Sequence, residues 1–153
     1  MTPDSLIIGR CGELLVQQRL LKFQIDSAML STDRGIDLLA LSTERRSISI
    51  QVRSKWKSTP SGGRGRPALD WWAAHSSQVD WYAFVDLARD KIWLMTMYDV
   101  KMHDQQPNNP SRHHICMITD GEPVNAARKT RSEVDFEPFL FEKQVKNLWK
   151  NQQ

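Results

Sequence analysis

The sequence predicts an α/β fold in which helices flank a mixed central sheet of about five strands. One helical pattern opens the chain, several short runs rich in β-branched and aromatic residues follow it, and an apolar stripe at helical spacing returns near the end. The chain has 153 residues, of which 40% are hydrophobic and 25% are charged. This length and composition suit one folded domain with a sizeable core.

The N-terminal part of the chain predicts a helix followed by three strands. Residues 5–24 form the helix, with Ser5 as its cap and apolar residues near one face. A short strand at 25–31 leads through a glycine-containing turn to a second strand at 36–41. Residues 47–55 then form the strand that returns beside it, with polar and apolar side chains alternating between its two faces.

The rest of the chain predicts a second pair of strands set between loops and helices. We expect, in order, a flexible Gly- and Arg-rich loop at 58–67, a short helix or turn at 68–77, strands at 80–87 and 91–97, a polar loop at 103–114 and a final helix at 138–149. Trp81 and Trp93 fall in the strands and are expected in the core. Trp56 and Trp71 are better candidates for surface contacts.

Cationic side chains are concentrated in one part of the chain. The net charge is +3, but residues 44–66 hold seven cations and one acid, so this stretch carries 7 − 1 = +6 and the remainder 3 − 6 = −3. Such a segment favours a polyanionic partner, most commonly nucleic acid, although charge alone is better explained by a solvated surface. Lys57, Arg64 and Arg66 are the candidates for contacts with a phosphate backbone.

The sequence also predicts the compartment. No apolar run approaches the roughly 20 residues of a membrane span, and the N-terminus has no basic leader followed by an apolar stretch. The cysteines are Cys11 and Cys116. We therefore expect a cytoplasmic protein with two reduced thiols and no membrane partner.

Five polar side chains of the first third of the chain have the chemistry of a hydrolytic site. Glu13 lies midway along the predicted helix, and Asp37 begins a predicted strand after a glycine turn. Gln51, Arg53 and Lys55 share one face of the next strand. Because the two strands are neighbours, a short hairpin brings Asp37 and Gln51 together at one end of the sheet.

These residue types suit the hydrolysis of a phosphodiester. A divalent cation polarises the phosphate and readies a water, and Mg²⁺ or Mn²⁺ takes oxygen ligands. Asp37 supplies a carboxylate, Gln51 an amide oxygen and Val52 a backbone carbonyl. Arg53 or Lys55 would hold the phosphate, Arg53 as a permanent, bidentate cation.

Taken in order, GELLVQQRLLKFQ, DRGIDLLAL and SISIQVRSK resemble the core of the PD-(D/E)XK nuclease superfamily, which has a restriction-endonuclease-like fold. The resemblance covers about a third of the chain, within residues 5–57. It is strongest to branches in which glutamine replaces the second acidic residue, such as Mrr-like restriction enzymes and Holliday-junction resolvases. The order and spacing of these short motifs make the combination moderately specific.

The resemblance implies a role for each matched position. Glu13 matches the helix glutamate, Asp37 the metal-binding aspartate and Gln51 the first residue of (E/Q)xK, with Arg53 at the lysine position. It implies a Mg²⁺- or Mn²⁺-dependent endonuclease that acts on DNA, built as one domain over residues 1–153. Two copies of such a domain could cut two strands, so a homodimer is compatible with this reading.

Two departures from the family pattern leave an alternative open. Arg53 replaces the usual lysine, and Gln51 reduces the negative charge that holds metal. A catalytically inactive module of the same fold, which binds nucleic acid or a protein partner, would also explain the sequence. A third reading places a partner-binding surface in the aromatic stretch from Trp71 to Met102.

The segment RHHIC at 112–116, together with His103, invites a zinc interpretation. A structural zinc site normally has four ligands at recognisable spacing, and this cluster lacks a second pair of ligands nearby. We therefore expect no zinc site there.

Overall fold

Two β-sheets and a helical layer form the fold, which a computed structural model describes for residues 1–32, 34–122, 124 and 131–150. The helices and longer strands, in chain order, are α1 (Ser5–Lys22), β1 (Asp26–Met29), β2 (Leu38–Leu41), β3 (Ser47–Lys55), β4 (Thr59–Pro60), β5 (Pro67–Ala74), β6 (Trp81–Asp86), β7 (Lys91–Met95), α2 (Met97–His103), β8 (Arg112–Ile118), β9 (Arg131–Ser132) and α3 (Phe141–Gln144). Helices cover one face of the first sheet, and the second sheet packs on its other face.

The first sheet has five strands in the order β1-β2-β3-β6-β7. β3 and β6 are parallel, whereas the other neighbours are antiparallel. Every residue of β6 is buried, as expected for a central strand covered on both faces. The mixed sheet of about five strands, flanked by helices, is therefore confirmed.

Helix α1 confirms the predicted N-terminal helix, but its cap is Asp4 rather than Ser5. The Asp4 carboxylate accepts a hydrogen bond from the Ile7 amide at 3.0 Å, which satisfies one of the amides that the first turn leaves without a partner. Val16 and Leu20 are fully buried against the first sheet.

The helix approaches β3 most closely at Gly12. A Cβ atom built on Gly12 would overlap the Ser54 hydroxyl and would lie 2.8 Å from Ser54 Cβ. Only the absence of a side chain allows this contact, so the glycine sets the distance between α1 and β3.

The second sheet was not predicted as such. It has four strands in the order β4-β5-β8-β9. The segment 68–77, predicted as a short helix or turn, lies mostly in β5, and the polar loop predicted at 103–114 contains the start of β8. Pairing with β8 buries alternate residues of β5, among them Trp71 and Ala73, and this burial outweighs local propensity.

The C-terminal helix predicted at 138–149 is broken into short pieces. A 3₁₀-helix spans Glu133–Phe139, α3 spans four residues, and another 3₁₀ turn follows at Val145–Asn147. Leu140 is extended, with φ −51° and ψ 140°, and this breaks the helix directly after Pro138 and Phe139. Further upstream, the sequence did not predict α2, at Met97–His103.

The core has two main parts, one on each face of the first sheet. Trp81 lies in the part beneath the helices, and Trp93 in the part between the sheets, so both predictions are confirmed. Trp56 is exposed as predicted, at 37%. Trp71 is only 2% exposed and packs on Phe84 and Trp93, so its predicted surface role is wrong.

Burial also weakens the idea of an aromatic partner-binding surface between residues 71 and 102. The aromatic side chains Trp71, Tyr82, Phe84 and Trp93 are buried, and of the large apolar side chains in this stretch Tyr98 and Met102 are exposed. Among the helices that the structure describes, none is both long and apolar enough to cross a membrane.

Candidate functional site

Asp37, directly before the start of β2, is held against β3. The Asp37 amide donates to the Ile50 carbonyl at 3.0 Å, and the Asp37 carboxylate accepts from the Val52 amide at 2.6 Å. The β2–β3 register ends at Leu38 and Ile50, and Asp37 lies one residue beyond it. Through these two hydrogen bonds Asp37 is held against Ile50 and Val52, the chain neighbours of Gln51 on either side.

Gln51 is more buried than Asp37. Its side chain is 5% exposed, and its Oε1 accepts no hydrogen bond from any residue that the structure describes. Gln51 borders a cavity of about 430 Å³ whose wall also includes Gly35 and Ser77. A buried carbonyl oxygen without a donor is costly, and a cation or an ordered water in the cavity would satisfy it.

Glu13 lies apart from Asp37 and Gln51. Helix α1 packs on the face of β3 that carries Ile50 and Val52, opposite the face of Gln51. The Glu13 carboxylate pairs with Arg10 at 2.9 Å, which is its hydrogen-bond and ion-pair partner in the described residues. The structure thus holds Asp37 against the two chain neighbours of Gln51 and places Glu13 on the helical layer.

Arg53 and Lys55 continue the Gln51 face of β3 into a second cavity of about 360 Å³. Lys55 Nζ lies 3.2 Å from Asp70 Oδ1, so this cation is already paired. Arg53 is exposed and makes no ion pair or hydrogen bond with a described residue. Of the two candidates for holding a phosphate, Arg53 is the one with its charge still available.

Ala74 lines both cavities, which lie between β3 and β5. We call the two cavities together the β3–β5 groove. The charged side chains on its walls are four cations and one acid: Arg34, Arg53, Lys55, Arg112 and Asp70. A cleft with this charge attracts an anionic ligand.

Asp70 contacts Lys55 and His114 at the far end of the β3–β5 groove. A contact from His114, whose Nε2 lies 3.5 Å away, and the charge of Lys55 lower the pKa of Asp70 to about 2, although partial burial opposes this shift. The carboxylate is therefore ionised at neutral pH. Burial, together with the charge of Asp70, raises the pKa of the neighbouring Cys116 thiol to about 11.

Trp72 gives the β3–β5 groove an aromatic wall. The Arg112 guanidinium lies 4.5 Å from the centre of the Trp72 ring, and His114 stacks on the ring with centroids 4.3 Å apart. These two contacts fix the orientation of the Trp72 indole in the wall of the groove.

The predicted phosphate-contacting residues differ in their surroundings. Lys57 and Arg64 are exposed. Arg66 makes two hydrogen bonds to the Asp120 carboxylate, at 2.8 and 2.6 Å, and one to the Glu122 carbonyl. The Asp120 carboxylate keeps the Arg66 side chain folded against the loop. A nucleic-acid role for Lys57, Arg64 and Arg66 remains a prediction.

A separate group of side chains could hold a metal. His75, Asp104 and His113 each offer one ligand atom, and these atoms all lie within 4.8 Å of one another. The sequence reading considered His113, within RHHIC, but paired it with His103. Because β5 and β8 were not predicted as neighbours, nothing pointed to His75.

Comparison with known proteins supports the fold. No protein-family model matches the chain, and no curated protein sequence matches it. Among solved structures, the bacterial homing endonuclease I-Ssp6803I is similar, with a TM-score of 0.59 and 15% sequence identity over 98% of this chain and 97% of that chain. At 15% sequence identity, this similarity shows the fold alone. The chain therefore has a nuclease-like fold, and its assignment to the PD-(D/E)XK superfamily remains a prediction.

Proposed function

We propose that this chain is a Mg²⁺- or Mn²⁺-dependent endonuclease of the PD-(D/E)XK type that acts on DNA. The observation that supports the proposal is that Asp37 hydrogen-bonds to Ile50 and Val52, on either side of Gln51, whose buried Oε1 has no hydrogen-bond partner among the described residues. The likeness to a homing endonuclease supports endonuclease activity, and the excess of cations along the β3–β5 groove supports an anionic substrate.

The residues present fit a divalent cation. Asp37 offers a carboxylate, Gln51 a buried amide oxygen and Val52 a backbone carbonyl, which are the hard oxygen ligands that Mg²⁺ takes. When bound, the cation would polarise the phosphate and lower the pKa of a water. The hydrogen bond from the Val52 amide holds the Asp37 carboxylate in place before substrate arrives.

Arg53 supplies the positive charge at the phosphate. It projects from the same strand face as Gln51, two residues further along, and it can bind two phosphate oxygens at once. An arginine does not transfer protons at neutral pH, so Arg53 stabilises charge and orients the substrate. A role for Glu13 at the metal stays a prediction, because its carboxylate pairs with Arg10 on the helical layer.

Plasmid and branched-DNA cleavage with Mg²⁺, with Mn²⁺ or with a chelator tests the proposal. Asp37→Asn is the informative variant, because the amide oxygen can still accept from the Val52 amide while the metal-binding charge is lost. Asp26→Asn is its matched control, since Asp26 is an exposed aspartate on neighbouring β1. We expect metal-dependent cleavage by the wild type and the control, and a loss of at least about 100-fold in Asp37→Asn.

The same experiment separates the two candidate functions. Equal cleavage by the wild type and Asp37→Asn would remove Asp37 from the mechanism. DNA binding that weakens with salt, without cleavage in either metal, would favour the inactive module, a reading motivated by Gln51 and Arg53. Restoring the acidic ligand in Gln51→Glu should then strengthen Mg²⁺ binding, measured as a metal-dependent rise in melting temperature.

DNA binding along the β3–β5 groove has its own measurement. Fluorescence anisotropy with a labelled duplex, repeated over a range of KCl concentrations, reports the number of phosphate contacts. Arg53→Ala should reduce the salt slope by about one. Arg45→Ala, in the β2–β3 turn at the opposite end of β3, is the control and should leave the slope unchanged.

A further inference from the structure

We propose that His75, Asp104 and His113 form a second metal site, specific for a first-row transition-metal dication such as Zn²⁺. The three side chains come from separate elements: His75 follows β5, Asp104 follows α2, and His113 lies in β8. Their ligand atoms lie within 4.8 Å of one another. The site is independent of the proposed nuclease centre.

His113 is the buried anchor of the site. The residue is 9% exposed, and its Nδ1 lies 2.7 Å from Asp104 Oδ2. Its Nε2 is buried and has no hydrogen-bond partner among the residues that the structure describes. For His113 and Asp104 to share one ion, Nδ1 is the ligand nitrogen of His113, and the ion would take the place of the proton between Nδ1 and Oδ2.

Asp104 is held in a fixed position by the backbone. Its Oδ1 accepts from the amides of Gln106 and His114, each at 2.9 Å. These bonds leave Oδ2 directed at His113 and keep the carboxylate from turning away. The second anchor is therefore rigid without a metal, which lowers the cost of binding one.

His75 completes the group from the surface. Its ring packs against that of His113, with centroids 4.1 Å apart and the planes tilted by 47°. Ligand atoms of a tetrahedral site with bonds of about 2.1 Å are about 3.4 Å apart, so a small rotation of the exposed His75 ring would close the gap. A water would take the fourth position.

The ligand set indicates which ion is bound. Two imidazoles and one carboxylate suit zinc, cobalt, nickel and iron, whereas magnesium takes oxygen ligands. The binding of an ion would join the end of β5, the end of α2 and the start of β8. It would therefore stabilise the second sheet without adding a group to the nuclease centre.

The test measures zinc binding to the full chain, prepared without a tag and treated with a chelator to remove metal. A chromogenic chelator competes with the protein for Zn²⁺ and reports the affinity. We expect one Zn²⁺ per chain, with His75→Ala weakening the affinity by about tenfold or more. His75→Ala is preferred to a His113 variant because His75 is exposed and its removal leaves the core intact. Co²⁺ substitution should give a visible absorption band in the wild type and none in His75→Ala.

Two controls separate this site from other binding. His103→Gln removes a histidine whose Nδ1 contacts the Asp99 carbonyl, outside the cluster, and should bind Zn²⁺ as the wild type does. Asp37→Asn should also bind Zn²⁺ normally, whatever its effect on DNA cleavage. The proposal would be overturned if zinc affinity were unchanged in His75→Ala. It would also be overturned if Asp37→Asn lost zinc affinity while His75→Ala kept it.

Discussion

Replacing Gly12 with alanine should destabilise the protein even though alanine is the better helix former. The added Cβ would overlap the Ser54 hydroxyl, which a rotation could relieve, but it would also lie 2.8 Å from Ser54 Cβ, which no rotation relieves. Either α1 or β3 must therefore shift by several tenths of an ångström, at a cost of about 1–3 kcal/mol. The gain in helix propensity offsets about 1 kcal/mol.

The expected net loss in the free energy of unfolding is up to about 2 kcal/mol, or up to about 8 °C in melting temperature for a chain of this size. Thermal and urea unfolding followed by circular dichroism measure it. Gly9→Ala is the matched control, because a Cβ on Gly9 would have no atom within 4 Å, so this variant should be slightly more stable than the wild type.

A double variant tests the cause. Gly12→Ala combined with Ser54→Gly keeps the new Cβ but removes the Ser54 side chain that it would overlap, so the two changes should be non-additive and the double variant more stable than the sum of the singles predicts. The reasoning would be refuted if Gly12→Ala were as stable as Gly9→Ala, or if the two changes were simply additive.

Three further outcomes follow from individual contacts. Asp37→Ala should cost about 1–3 kcal/mol in urea unfolding by leaving the Val52 amide without that acceptor, and Asp37→Asn clearly less. Because the contact with His114 lowers the pKa of Asp70 from 3.8 to about 2, its contribution to stability is present above about pH 4 and is lost as the pH falls toward 2. Unfolding free energies measured across that range should therefore fall less steeply for Asp70→Asn than for the wild type. Cys116, with its pKa raised to about 11, should stay unlabelled by iodoacetamide at pH 8 in the native protein and react after denaturation, as mass spectrometry would show.

The elements predicted well are those in which a local pattern and the tertiary environment agree. Apolar and polar side chains alternate along β3, and its predicted bounds, 47–55, match the observed strand. The hairpin of β2 and β3 follows from two such runs joined by a short turn, and in it Asp37 is held against Ile50 and Val52, the chain neighbours of Gln51.

The elements predicted badly depend on partners distant in sequence. The segment at 68–77, with two tryptophans and three alanines, is locally compatible with a helix, and only its pairing with β8 makes it a strand. The site formed by His75, Asp104 and His113 has the same origin, because two of its ligands meet through that pairing. Short-range motifs carry no information about such contacts.

The linker between β3 and β5, residues 56–66, lies within the crossover that carries the chain from β3 to its parallel neighbour β6. It is largely solvent-facing and contributes no residue to the two main cores. The packing between the two sheets, and not the linker, sets how far apart the β3 and β5 walls of the groove stand. Residues added to the solvent-facing part of this linker would therefore leave the groove and both cores in place.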